Sequence, residues 1–314
     1  MNDAAVTAAE CILVIKLGAL GDVVQALGPM SAIRRHHARA HITVLTTAQF
    51  APLLSASPYV DETWIDPRPR AWQLGAWMSL RRKLRSARFA RVYDLQTSGR
   101  SSFYSRLFGP GKRPEWSGIA AGSSHPHANP GRDFMHTIER QAEQLRDAGI
   151  ADVPPTDVSW LKADLERYVL PRRFALLVPG GSAARLQKRW PAASYGALAA
   201  RLLTRDVTPV VIGVASERPL AAGIRAACPE ARDLTGQTSF AEIAALARRA
   251  QAAIGNDTGP MHLIAAAGCP CVVLFSADSD PALCAPRGKV TVLRRPNLAE
   301  LTVDDVAAAV SSTA

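Results

Sequence analysis

"KLGALGDVVQALGPMSAIRRH", from Lys16 to His36, decides how the chain is read. The apolar run "CILVI" leads into it, so a strand enters a glycine turn and the turn enters a helix. That is the opening of a parallel α/β unit. The glycines, Gly18 and Gly21, are spaced G-x-x-G, and the dinucleotide fingerprint G-x-G-x-x-G is absent. The next strand, "HITVLTT" from His41, ends without the acid that would hold a ribose. Both features speak against a nicotinamide oxidoreductase. Asp22 stands where such a loop would face phosphate, and by position alone it is a helix-capping carboxylate.

Outward from this stretch, β-branched runs alternate with helical ones. Val23 to Arg35 reads as helix, Ala71 to Ala87 as helix, "RVYDLQ" as strand and Phe134 to Ala148 as a helix stopped by Gly149. The segment "ADVPPTDVSW", residues 151–160, reads as a linker, which predicts domains over 1–160 and 161–314. Beyond it the alternation restarts with the strands "FALLVPG", "TPVVIG", "AAIGND" and "PCVVLFS". Helices are predicted between them from Ala193, Glu217, Ser239 and Pro260, and a last one from Val303. Two parallel α/β domains in tandem would face a central cleft, with ligands at the strand C-terminal ends.

The formal net charge of +10 is uneven: residues 1–150 carry 19 Lys and Arg against 12 acids, and the remainder 18 against 15. A basic first half predicts an anionic partner there. The first ten residues lack the basic and apolar segments of a signal peptide. No apolar run approaches the ~20 residues of a membrane span. Five scattered cysteines read as reduced thiols, so a cytoplasmic protein is expected.

Four loops follow strands and precede helices. "GALGDV" holds Gly21 and Asp22. In "VPGGSAARLQKRWP", Gly180, Gly181 and Ser182 can turn amides toward an anion. Lys188 there can neutralise a phosphate leaving group or be a solvated surface lysine. In "VIGVASE", Glu217 can accept from ribose hydroxyls or simply start a helix. "GNDTGPMHL" places Asp257, Thr258, Gly259 and Pro260 at a helix start, where exposed amides can cradle a diphosphate, with His262 beside them. "SADSDP" contains a D-x-D, Asp278 and Asp280, but the following proline marks an ordinary turn, and no metal site is expected.

Around Ala71 to Ala87, Trp72, Trp77, Leu80 and Leu84 fall near helical spacing among Arg81, Arg82, Lys83, Arg85 and Arg88. This is either an amphipathic helix packed on its own domain or a basic-aromatic face resting on anionic lipid, and different faces can do both.

Taken in order, "ILVIKLGALGDVVQALG", "RVYDLQTSGRSS", "FMHTIERQAEQLRDAGI", "VPGGSAARLQKRWP", "IGVASE" and "GNDTGPMHLIAAAG" resemble the heptosyltransferases of glycosyltransferase family 9 over nearly the whole chain. The resemblance implies a GT-B architecture of two Rossmann-like domains and an inverting, metal-independent transfer. The substrate would be a nucleotide-diphosphate sugar, with ADP-heptose first among donors, and the acceptor an anionic lipopolysaccharide core glycolipid. It implies Asp22 as general base and Lys188 as a donor-phosphate contact. It further implies Glu217 as a ribose contact, Gly181, Ser182, Asp257, Thr258, Gly259, Pro260 and His262 around the donor, and Gly21 and Arg100 toward the acceptor. No cofactor beyond the donor and no nucleic-acid partner is implied, and the enzyme would work at the cytoplasmic face of the inner membrane. Two departures, Val214 after Gly213 and the longer "SADSDP", fall near the expected donor pocket. A nucleotide-sugar epimerase and a non-catalytic nucleotide-sugar-binding protein are the alternatives.

Overall fold

The computed structural model describes residues 10–109, 111, 113–181 and 185–313. The chain divides into two compact units, Met1–Thr156 and Asp157–Ala314. The division follows from how the connecting segment is held. Thr156 donates its hydroxyl to the Val24 carbonyl, and Pro154 lies so close to Gly28 that a Cβ there would stand 2.4 Å from its carbonyl oxygen. From Val158 onward the chain is gripped by the second unit, where Arg248 donates to the carbonyls of Val158 and Leu161.

The first unit runs β1 (Cys11–Ile15), α1 (Leu20–Gln25), α2 (Leu27–His36), β2 (His41–Thr46), α3 (Ala51–Ser55), β3 (Glu62–Ile65) and α4 (Leu74–Ser86). It continues β4 (Arg91–Asp94), α5 (Gly99–Tyr104), β5 (Glu115–Gly118), β6 (His125–Pro126) and α6 (Thr137–Asp147). Its six strands are parallel in the order β3-β2-β1-β4-β5-β6. Four of the five β1 residues are buried, as expected of a strand covered on both sheet faces.

The second unit runs β7 (Phe174–Val178), α7 (Ala192–Leu203), β8 (Thr208–Val211), α8 (Arg218–Ala227), β9 (Arg232–Asp233) and α9 (Phe240–Arg249). Then follow β10 (Ala252–Asn256), α10 (Gly259–Ala266), β11 (Cys271–Phe275), α11 (Pro281–Cys284), β12 (Val290–Arg294) and α12 (Val303–Thr313). Its parallel sheet is ordered β12-β11-β10-β7-β8-β9. Read from β9, this is the order of the first unit, the Rossmann arrangement. Strand order therefore reverses between β1 and β4 and again between β7 and β10, the places where open parallel sheets bind ligands.

Three helices differ from expectation, and the one foreseen from Ala71 begins at Leu74. The helix foreseen from Val23 to Arg35 is two, parted at Ala26, because Pro29 has no N–H to give the Gln25 carbonyl one turn back. The helix foreseen from Phe134 begins at Thr137, where the His136 ring accepts from the Ile138 amide and sets the N-terminus. No cysteine is disulfide-bonded. No helix among the described residues is long and apolar enough to cross a membrane.

Candidate active site

In the first unit, the β1–α1 turn carries Asp22 at the third position of α1, half-buried, its carboxylate accepting the Ala19 amide at 3.1 Å. Ala19 has no side chain to return the bond, so Asp22 caps the helix alone and keeps a second oxygen for other work. Gly18 makes the turn possible: its φ is +133°, and a Cβ would sit 2.5 Å from the Phe50 ring. Gly21 is buried in the same turn.

Behind Asp22 lie charges that the sequence reading passed over. Lys16 is 3% exposed and donates its ammonium to the Leu95 carbonyl at 3.0 Å. Burial lowers its pKa, and the Asp22 carboxylate pulls it back up. Burial likewise lowers the pKa of Arg140 on α6, with Asp22 again opposing. Asp94, 0% exposed at the end of β4, is raised to about 6 by burial, against the amides of Thr97 and Gln96, Ser101 and the Lys16 charge. The available signal was a lysine closing an apolar strand and an aspartate closing another. Arg100 on α5 donates to the Pro69 carbonyl at 3.3 Å and lies over the Trp77 ring.

In the second unit, the loops after β7 and β10 meet at the switch point. Lys188, in the turn before α7, donates its ammonium to the Asp257 carboxylate at 2.9 Å, and the Ser279 hydroxyl donates to the same oxygen at 2.7 Å. Thr258 is the N-cap residue of α10 and gives no side-chain cap, while Gly259 and Pro260 form its first turn. Pro260 has no N–H and the Met261 amide donates to the Thr258 carbonyl, so the amides at that helix start that can turn to a ligand beside the Lys188 ammonium are those of Thr258 and Gly259. His262 is buried one turn in, 7% exposed.

Glu217 is fixed from two sides. Its carboxylate accepts the amides of Gly181 and Val214, each at 3.0 Å. A Cβ on Gly180 would stand 2.0 Å from that carboxylate and one on Gly213 2.4 Å. The Gly181 amide, expected to face an anion, is thus committed to Glu217, and its carbonyl accepts from Arg189. Val214 is 56% exposed with extended backbone, so the departure after Gly213 leaves this packing intact. Ser182 lies outside the described residues.

Asn256, which the sequence reading missed, braces these loops. Fully buried at the end of β10, it donates to the carbonyls of Pro179 and Gly180 and accepts from the Trp190 amide and the Tyr195 hydroxyl. All four of its hydrogen-bonding positions are used. Trp190, itself tied to the Leu301 carbonyl, thereby holds the turn that presents Lys188. The signal was a lone amide ending an apolar strand.

Asp278 accepts from the Ser276 hydroxyl and Asp280 caps the Ala282 amide, so both D-x-D carboxylates serve their own turn. Among the described residues, no three His, Cys, Asp or Glu gather in a metal-binding group.

The family model for glycosyltransferase family 9 (heptosyltransferase) matches residues 77–302. The chain is similar to lipopolysaccharide heptosyltransferase 2 of Escherichia coli strain K12, with 27% identity over 85% of this chain and 83% of that protein. Among solved structures, the ADP-heptose lipopolysaccharide heptosyltransferase II of E. coli superposes with a TM-score of 0.77 at 23% identity, covering 96% of this chain and 98% of that one. A family 9 glycosyltransferase from Veillonella parvula does so with 0.82 at 18% identity, covering 97% of each.

Proposed function

The chain belongs to glycosyltransferase family 9, and from that premise we propose that this glycosyltransferase moves heptose from ADP-heptose to an anionic lipopolysaccharide core acceptor, inverting the sugar and using no metal. The observation that carries the reading is the Lys188–Asp257 pair beside the α10 N-terminus. An ammonium has three donors, and Asp257 uses one while holding the group in place. The others, with the helix amides, suit a departing diphosphate.

The acceptor hydroxyl, held by the first unit, attacks the anomeric carbon and gives its proton to the free oxygen of Asp22. The new carbon–oxygen bond forms as the bond to the diphosphate breaks, and ADP leaves with the electron pair. One displacement from the opposite face inverts the centre. Lys188, Thr258, Gly259 and Pro260 surround the diphosphate, with His262 beneath. Glu217, both oxygens anchored by amides yet retaining lone pairs, accepts from ribose hydroxyls, with Gly181 alongside. Gly21 and Arg100 lie toward the acceptor, whose phosphates suit the basic first unit. The reaction belongs at the cytoplasmic face of the inner membrane. Lys188 and the start of α10, which take up the departing charge, support a metal-free reaction.

The test is transfer from ADP-, UDP- and GDP-sugars to deacylated core acceptors, with and without EDTA, alongside runs lacking acceptor. The expected result is acceptor-dependent transfer from ADP-heptose that EDTA leaves unchanged. Transfer only from a UDP- or GDP-sugar would overturn the donor, loss with EDTA the metal-free step, and a retained anomer the single displacement.

A further inference from the structure

The first unit carries a surface around α4 and α5 that, Arg100 apart, holds none of the residues given a part in the transfer reaction above. From Pro67 to Pro114 the chain has twelve Lys or Arg and one acid, Asp94, which is 0% exposed. In the same region stand large apolar side chains that the fold leaves uncovered: Trp72 is 71% exposed, Leu74 69%, Met78 63% and Phe103 40%. Leu74 and Met78 are one turn apart on α4, and the face they share runs on through Arg81, Arg82 and Arg85. Leu80 and Leu84, on another face, are buried and anchor the helix.

Two hollows flank this helix. One, of about 550 Å³, is lined by Ala71, Leu74, Trp77, Arg100, Phe103 and Leu107. The other, also about 550 Å³, is lined in part by Arg85, Arg88 and Arg113 and by no acid. Guanidinium groups lie over the aromatic rings, Arg70 over Trp72 at 5.3 Å and Arg106 over Phe103 at 5.9 Å. Such pairs present an apolar body and a charged rim together.

We infer that this α4–α5 face docks the protein onto an anionic phospholipid bilayer. Trp72, Leu74 and Met78 seat at the boundary of headgroups and acyl chains, and Arg81, Arg82, Arg85, Arg88 and Arg113 meet lipid phosphates. A polyanion alone would reward the arginines and leave Leu74 and Met78 in water; a lipid interface takes both at once. The docking holds whichever sugar is transferred.

The test uses the full chain and vesicles of phosphatidylcholine with or without phosphatidylglycerol. The native protein is expected to sediment with the anionic vesicles about tenfold more strongly than with the neutral ones, fading as salt rises. L74E/M78E and R81E/R82E, all at exposed positions, are each expected to lose about tenfold or more of that binding. The thermal transition of both should stay native, and so should the transfer of L74E/M78E to a water-soluble acceptor. Brominated acyl chains should quench native fluorescence, and Trp72→Phe should remove that quenching. Native protein left in the supernatant with both vesicles, or charge-reversed variants that bind as well as native, would overturn the docking. So would a native dimer that L74E/M78E splits while vesicles are ignored, since the occupant would then be a second copy.

Discussion

The Lys188 ammonium lies 2.9 Å from the Asp257 carboxylate, and each side chain is only 11% exposed. Breaking a pair this sheltered strands the remaining charge. A fully buried pair loses about 3–5 kcal/mol when one partner goes, and the remaining solvent access trims that. Asp257→Asn is expected to destabilise the fold by roughly 2–3 kcal/mol, read as a lower urea midpoint with unchanged slope.

Lys188→Ala should act on the chemistry. Without its charge, kcat is expected to fall about 100- to 1000-fold, the effect of losing one group that stabilises developing negative charge. Lys188→Arg should recover part of it. An Ala variant with native kcat in steady-state transfer assays would remove Lys188 from the reaction.

Asp22 separates two roles in one substitution. Asparagine keeps an oxygen for the Ala19 amide and loses the proton acceptor. Asp22→Asn is therefore expected to lower kcat about 100- to 10,000-fold while melting within about a degree of native. A variant that melts early and turns over normally once cooled would leave Asp22 as a cap alone.

Glu217 and Gly180 are coupled sterically. A Cβ on residue 180 would stand 2.0 Å from the Glu217 carboxylate, so Gly180→Ala must expel it and break the amide bonds to Gly181 and Val214. A loss of about 2 kcal/mol or more is expected, with weaker ADP binding by calorimetry. The Gly180→Ala/Glu217→Ala double variant should be clearly more stable than the sum of the two single losses predicts.

Asp94 bears on pH. Its carboxyl is held near 6 in the fold against an ordinary value of 3.8. Because the folded pKa is raised, the native state holds the proton more tightly. Its contribution is fully present below about 3.8 and is lost as pH rises through about 6. The loss amounts to roughly 3 kcal/mol. Asp94→Asn should flatten that part of the stability curve in urea titrations between these pH values. A variant curve parallel to the native one would show that Asp94 is not titrating there.

The loops were legible because local patterns mark them. Apolar runs ended by glycine, proline and a polar residue announced β1, β7, β8 and β10, and helix starts announced Asp22 and Thr258. The strands β3, β5, β6, β9 and β12 were not foreseen. The first four are two to four residues long and owe their form to pairing with a neighbour rather than to any periodicity of their own.

By itself the sequence determined that there are two parallel α/β units, where their glycine turns fall, and which residues stand at strand ends. Only the tertiary structure decided what those residues touch. Lys188 finds Asp257 69 positions away, and Glu217 finds Gly181 36 positions away. Contacts of that separation are set by the reversal of strand order between β7 and β10 and by the lack of room around Gly180 and Gly213. A local pattern carries neither. The same holds for Asn256, whose importance lies in four partners drawn from a stretch 61 to 77 positions away.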